Sequence, residues 1–171
     1  MTVMGKVIGL MEQGIGASRR AVFLAGVHDG VPIALGYFVV AFTLGILAKT
    51  AGLTPWQGFL TSFVNLASAG EYAGFTVIAA QAPYLEIAVL TLVANARYFL
   101  MAAALTQRFA PETSLLHRLA VSFGVTDEIF GITVARGGTL NPYYNYGAMA
   151  ISVPAWAAGT SAGILAGGPI G

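Results

Sequence analysis

The sequence predicts an all-α fold, a polytopic transmembrane helical bundle with about five hydrophobic segments, one or two of them broken or re-entrant. Of the 171 residues, 57% are hydrophobic and only 9% are charged, whereas a soluble domain carries about 25% charged residues. The mean hydropathy is +0.77, and no segment alternates with the period of a β-strand. Because lipid offers the backbone no hydrogen bonds, helices are the expected spanning structure.

The composition also excludes several classes of function. A net charge of +1 gives no attraction for nucleic acid, so none is expected as a partner. The chain has no cysteine, and His28 and His117 stand apart from other ligand-type residues, so neither a metal nor a cofactor is expected. Without a nucleophile elbow or a zinc-protease motif, we do not expect an enzyme.

The N-terminal part of the chain divides into a lead-in and a first span. Residues 1–20 are predicted to be interfacial or flexible, because charges interrupt their short apolar patches. Residues 30–48 carry no charge and are long enough to cross a hydrocarbon core of about 30 Å. Pro32 cannot donate a backbone hydrogen bond, so we expect a kink or break near Asp29.

The second hydrophobic segment begins with a clear helix start. Thr54 is a capping residue, Pro55 suits the first helical position, and Gln57 completes a capping box. A helix from there to residue 83 would be longer than a bilayer needs. The small and polar residues 67–74 therefore predict a broken helix or a re-entrant hairpin.

Three further segments follow, at about residues 86–107, 119–135 and 147–166. The last carries Gly159 and Gly163 on one ridge, against which another helix could pack closely. No charged residue follows it, so we expect the domain to be incomplete at its C-terminus.

The positive-inside rule favours one of two topologies. Five full spans would put four basic residues inside and three outside. A re-entrant hairpin over residues 55–82 would put five inside and two outside, and it is preferred on that count. In this second arrangement Lys6, Arg19, Arg20, Arg108 and Arg118 lie inside, and Lys49 and Arg136 lie outside.

Ionisable and amide side chains within the apolar segments are the main functional signal. They are Asp29, Glu71, Asn95, Arg97, Asp127 and Glu128. A charge at the bilayer centre costs about 2.5–3.5 kcal/mol, so such groups usually pair or face a wet cavity. Four acids cannot be neutralised by a single arginine, so we expect one or more to be protonated or to bind a transported cation or ammonium group. This pattern predicts that residues 21–171 form a transmembrane transporter domain.

Structural roles for the same residues stay open. Asp29 could be an interfacial group, Glu71 could mark the end of a half-helix, and Arg97 could form a purely structural pair. Asp127 and Glu128 are adjacent and so about 100° apart on a helix, which predicts that one of them serves packing. The tryptophans and tyrosines are predicted to be interface anchors or lining residues.

Four motifs resemble the AzlC-type branched-chain amino acid permeases, the large subunits of the AzlC/AzlD exporters. They are DGVPIALGY at residues 29–37, GLTP followed by ASAGEYA at residues 52–55 and 67–73, LVANARY at residues 92–98, and VTDEIF at residues 125–130. The resemblance extends from about residue 21 to 166. Glu71 departs from it, because an uncharged residue such as glutamine is common in the family at that position.

The resemblance implies a multi-pass protein of the inner (plasma) membrane that exports branched-chain amino acids with a small hydrophobic AzlD-type subunit. A zwitterionic substrate needs donors for its carboxylate, such as Arg97 or a half-helix N-terminus, and acceptors for its ammonium group, such as Asp127, Glu128 or Glu71. A proton bound by one acid would drive transport. The alternatives are a channel or carrier for an ion or another small metabolite, and a purely structural subunit.

Overall fold

The computed structural model describes residues 18–168, and within them every regular element is a helix. The helices are α1 (Arg19–Thr50), α2 (Pro55–Val64), α3 (Ser68–Ala79), α4 (Tyr84–Thr106), α5 (Leu115–Phe123), α6 (Asp127–Val134) and α7 (Pro142–Ala166). The predicted all-α class is therefore confirmed. Most of the predicted lead-in, residues 1–20, lies outside the described residues.

Three of these helices, α1, α4 and α7, are long and apolar enough to cross a membrane, and they match three of the predicted segments. Of the expected kink or break near Asp29, the break is wrong, because α1 is helical from end to end with Pro32 inside it, and the kink stays a prediction. The surrounding turns pack tightly on α7. A β-carbon at Gly26 would collide with the Tyr144 carbonyl, and one at Gly30 would lie 3.0 Å from the Cα of Ala148.

Helices α1 and α7 run parallel and in contact along their length. Near their starts Gly147 lies against the Phe23 backbone, and near their ends Gly163 lies against the Phe42 carbonyl. Beyond that, Lys49 Nζ donates a hydrogen bond to the Gly167 carbonyl (2.6 Å). The predicted glycine ridge of α7 is thus the surface that receives α1.

The second segment is interrupted as predicted, but about one turn earlier than expected. Its first helix has the predicted capping box between Thr54 and Gln57. The break comprises residues 65–67, and the residues from Ser68 onward are helical. Neither α2 nor α3 has the roughly 20 residues that a full crossing needs.

The predicted span over residues 119–135 is wrong, because this segment is also divided. Helix α5 ends at Gly124, and α6 begins after Thr126, whose hydroxyl caps the Ile129 amide. Its two flanks meet at the end of α4. Arg118 of α5 donates hydrogen bonds to three carbonyls between the end of α4 and the start of α5, those of Thr106, Ala110 and Thr113. Arg108, just beyond α4, donates hydrogen bonds to three carbonyls at and after the end of α6, those of Val134, Arg136 and Gly138. The segment therefore returns to the end of the bundle from which it starts.

Helix α4 runs antiparallel to α1. Its middle residue Tyr98 shares a cavity with Tyr37 of α1, whereas the Arg108 carbonyl beyond its end accepts a hydrogen bond from the Leu140 amide just before α7 (2.9 Å). The start of α4 therefore lies at the same end of the bundle as the last turn of α1. Since α2 follows α1 and α3 precedes α4, residues 55–79 also form a hairpin.

The bundle thus contains two hairpins that enter from opposite ends. We call residues 55–79 the first hairpin and residues 115–134 the second hairpin. The placement of Arg136 opposite Arg108 and Arg118 is wrong, because the second hairpin brings all three to one end. Arg19 is at that end too, with its guanidinium 5.3 Å from the centre of the Tyr143 ring, whereas Lys49 lies at the other.

Candidate functional site

The breaks of the two hairpins meet at a cavity of about 110 Å³ in the middle of the bundle. Each of the helices α1, α4 and α7 contributes a side chain near its own midpoint. The lining residues are Tyr37, Val40, Leu66, Ser68, Tyr98, Thr126, Asp127, Glu128 and Trp156. Aromatic and aliphatic walls thus enclose a space that two carboxylates also reach.

Asp127 reaches this cavity as half of an ion pair. Its Oδ2 lies 2.8 Å from Arg97 Nη2, and the two side chains remain 45% and 50% exposed. The Arg97 guanidinium also lies 5.2 Å from the Tyr98 ring centre. The pair joins α4 to the second hairpin, and its exposure leaves both charges accessible to a ligand.

Glu128 is held by a tyrosine on the facing helix. The Tyr37 hydroxyl forms hydrogen bonds with Glu128 Oε2 (2.5 Å) and with the Thr126 hydroxyl. A phenol has one hydrogen, so it donates to the carboxylate and accepts from the threonine. Tyr37 therefore fixes the break of the second hairpin against α1.

The expectation that one of the adjacent acids serves packing stays a prediction. Both Asp127 and Glu128 line the cavity. They are the first two residues of α6, where the chain enters the helix from an extended segment. At a helix end, two neighbouring side chains can reach the same space although they diverge in angle.

The start of α3, in the first hairpin, reaches the same cavity. Helix α3 begins after Ala67, no side chain caps it, and Ser68 lines the cavity. The first intrahelical hydrogen bond is donated by the Glu71 amide to the Ala67 carbonyl. An uncapped helix start carries free amides and a partial positive charge, which together favour an anionic group.

Glu71 lies beside this cavity but does not line it. Its side chain is 1% exposed. Its Oε1 accepts a hydrogen bond from Trp156 Nε1 (2.6 Å), and its Oε2 lies 3.0 Å from Ser62 Oγ. Within residues 18–168 it forms no ion pair.

Asn95 secures the break of the first hairpin to α4. Its Nδ2 donates a hydrogen bond to Asn65 Oδ1 (3.1 Å). Gly70 leaves room for this amide, since a β-carbon there would lie 2.7 Å from Asn95 Nδ2. Asn95 is therefore placed to position the hairpin and is not among the cavity-lining residues.

The structure does not bring Asp29 together with the other candidate residues. Asp29 accepts a hydrogen bond from the Tyr144 hydroxyl (2.8 Å), and its carboxylate lies 3.0 Å from His28 Nδ1 and 3.6 Å from Arg136 Nη1. This cluster ties α1 to the start of α7 and to the loop that precedes it. Asp29 is thus part of a separate polar cluster towards the basic end of the bundle.

Sequence reasoning missed several aromatic residues of the site. Tyr37 and Trp156 pack edge to face, with ring centres 5.3 Å apart, and with Tyr98 they line the cavity. Of the two roles predicted for tryptophans and tyrosines, these three residues take the lining role, and Tyr37 and Trp156 lie near the middle of their helices. That central position in an apolar segment was the available signal.

The chain is similar in sequence to a known protein family. The chain matches the family described as "AzlC protein" over residues 32–170. No solved structure matches the chain.

The relatives are described as membrane proteins. An uncharacterized membrane protein of Archaeoglobus fulgidus is 30% identical over 150 residues, which are 88% of this chain and 65% of the relative. The inner membrane protein YgaZ of Escherichia coli is 31% identical over 121 residues, 70% of this chain and 49% of that protein. The chain thus spans between about half and two thirds of these relatives. The extent of the family match shows that this chain is a membrane protein of the AzlC family.

Proposed function

We propose that the chain belongs to a membrane transporter whose central cavity binds a branched-chain amino acid for export. The observation that carries the proposal is the composition of the cavity. Two carboxylates, the start of an uncapped helix and apolar aromatic walls meet at one small space. A zwitterion with an aliphatic side chain needs these three features together.

Each hairpin would bind one of the two charged groups of the substrate. The ammonium group would bind Glu128 and Asp127 at the start of α6. The carboxylate would bind the free amides at the start of α3, near Ser68. The Arg97 guanidinium would lie close by as an additional positive group. The aliphatic side chain would then contact Val40, Leu66 and the aromatic rings.

We further propose that the protein is multi-pass, with α1, α4 and α7 crossing the membrane and the hairpins re-entering it. The end that carries Arg19, Arg108, Arg118 and Arg136 would then face the cytoplasm by the positive-inside rule. Each hairpin closes the cavity from one side. Movement of one hairpin at a time would expose the site alternately, as in transporters with broken helices at the membrane centre.

The proposed partner is a small hydrophobic AzlD-type subunit, as the family resemblance implies. Helix α4 offers the surface best suited to it, because its outer face is apolar and little covered. Leu85, Val93, Phe99 and Leu100 on this helix are each at least 67% exposed. Surrounding lipid would cover whatever part of that face the partner leaves free.

The test is transport of labelled leucine into everted vesicles that contain the chain and its small partner. We expect accumulation that depends on a pH gradient. A leucine analogue without its ammonium group, and another without its carboxylate, should each compete at least about tenfold more weakly, a difference of about 1.4 kcal/mol. Ion flux without leucine movement would instead support the channel or carrier alternative.

A further inference from the structure

We propose that Glu71 is a dedicated proton-binding site that the substrate does not contact, and that Trp156 couples it to the cavity. This inference rests on the proposed transport function. It separates the acids of the site into two classes, since Asp127 and Glu128 line the cavity and Glu71 is enclosed behind its wall.

The hydrogen bonds around Glu71 can form in both its ionised and its protonated state, with every heavy atom in the same place. Ser62 Oγ lies 3.0 Å from Glu71 Oε2 and 2.7 Å from Thr160 Oγ1. Ser62 has one hydroxyl hydrogen, so it can donate to only one of them at a time. When Glu71 is ionised, Ser62 donates to the carboxylate and accepts from Thr160.

When Glu71 is protonated, the chain of hydroxyl groups reverses. The carboxylic acid then donates to Ser62, and Ser62 donates to Thr160. The only covalent change is one O–H bond on Glu71, formed with a proton taken from water and broken when that proton returns to water.

Among residues 18–168, the groups facing Glu71 include no cation that would fix it in the ionised form. Ser62 of α2 and Trp156 and Thr160 of α7 are its direct neighbours. Asn95 and Thr91 are the α4 side chains closest to the glycines of α3. From α1, Tyr37 packs edge to face against Trp156.

Trp156 connects the two classes of acid. Its indole N–H donates to Glu71, and its ring packs against Tyr37, which holds Glu128. A hydrogen bond to a carboxylate is stronger than one to a neutral acid. Protonation of Glu71 would therefore loosen the Trp156 wall of the cavity, and ionisation would tighten it.

Tryptophan fluorescence tests the proton site without any substrate. The chain has two tryptophans, and Trp56 is an exposed one on α2, so Trp56→Phe leaves Trp156 as the sole reporter. We expect its emission to shift with pH in liposomes, and the shift to be lost in Glu71→Gln. Glu71→Asp, which keeps a carboxyl group, should retain a shift, as should Glu128→Gln. The proposal would be overturned if the emission of the Trp56→Phe protein did not shift with pH. It would also be overturned if the shift persisted after Glu71→Gln was added.

Transport measurements then test coupling. Glu71→Gln should lose leucine accumulation driven by a pH gradient and keep leucine exchange at equal pH, because Glu71 does not line the cavity and the acids that do, Asp127 and Glu128, stay in place. Gradient-driven accumulation at the parental level in Glu71→Gln would overturn the role of Glu71. If the parent moves no leucine at all, the proposed function fails, and the fluorescence titration still decides whether Glu71 binds a proton.

Discussion

The two hairpins have the same plan but treat their acids in opposite ways. In the first hairpin, Glu71 lies one turn inside α3, is fully buried and has only uncharged partners. In the second, Asp127 is the first residue of α6, is 45% exposed and pairs with Arg97. One acid is isolated from the cavity and the other is open to it, which suits a proton site and a substrate site respectively.

The helix starts differ in the same complementary way. Thr126 caps α6, so the second hairpin offers side-chain carboxylates and few free amides. No side chain caps α3, so the first hairpin offers free amides and no accessible acid. A ligand lying between the two breaks would therefore meet a positive surface on one side and a negative surface on the other.

Side-specific labelling is the prediction with the largest effect, because its outcome is all or none. The chain has no cysteine, so single cysteines report their own position. Glu112→Cys and Gly137→Cys, which flank the second hairpin, should react with an impermeant reagent from one side of the membrane. Thr50→Cys and Ala80→Cys, which flank the first, should react from the other side. Labelling of Glu112→Cys and Gly137→Cys from opposite sides would show that residues 115–134 cross the membrane.

The exposed ion pair should matter for transport far more than for folding. Arg97→Met and Asp127→Asn should each reduce leucine export to background. Thermal stability in detergent should change little, because an exposed ion pair contributes about 0–1 kcal/mol. Glu86→Gln, an exposed acid in the first turn of α4, is the matched control and should transport normally. Wild-type transport in both pair variants would favour a purely structural subunit.

The contact between α1 and α7 should be the most sensitive to added volume. Gly163→Val puts a side chain where a β-carbon already collides with the Phe42 carbonyl, and we expect a loss of about 1–3 kcal/mol of stability. Gly36→Val is the matched control, because no atom lies within 4 Å of its β-carbon position. Thermal unfolding in detergent measures both. Equal stability of the two variants would contradict the close packing of these helices.

The sequence predicted the features that local patterns determine. The capping box at Thr54 and the long apolar helices depend on residues near each other in the chain, and both were found in place. The ridge that contains Gly163 also predicted a close helix contact. These features need no knowledge of which helices are neighbours.

The sequence did not predict the second hairpin, although a local signal for its break was present. Gly124 is typical of a helix end, and Thr126 followed by acids is typical of a helix start. The hydropathy pattern indicated one continuous span instead, because two half-helices have about the same apolar length as one full crossing. The wrong placement of Arg136 at the end opposite Arg108 and Arg118 followed from that error.

The different burial of Glu71 and Asp127 could not be predicted from local sequence. Both acids lie close to a break and among small or apolar neighbours. Their environments are set by partners far away in the chain, Trp156 for Glu71 and Arg97 for Asp127. Only the packing of the helices decides which acid is enclosed.

Removal of the Tyr37 hydroxyl is the prediction with the smallest effect, and it tests how the second hairpin is held. Tyr37→Phe keeps the ring that packs on Trp156 but removes the donor to Glu128. Because a hydrogen bond to a charged group contributes about 1.5–3 kcal/mol and the half-exposed cavity lets water replace part of it, we expect leucine export to fall about tenfold. Tyr84→Phe, 91% exposed at the start of α4, is the control and should leave export unchanged. If Tyr37→Phe exports leucine at the parental rate, the second hairpin does not depend on this bond, and the Arg97–Asp127 ion pair must hold the start of α6.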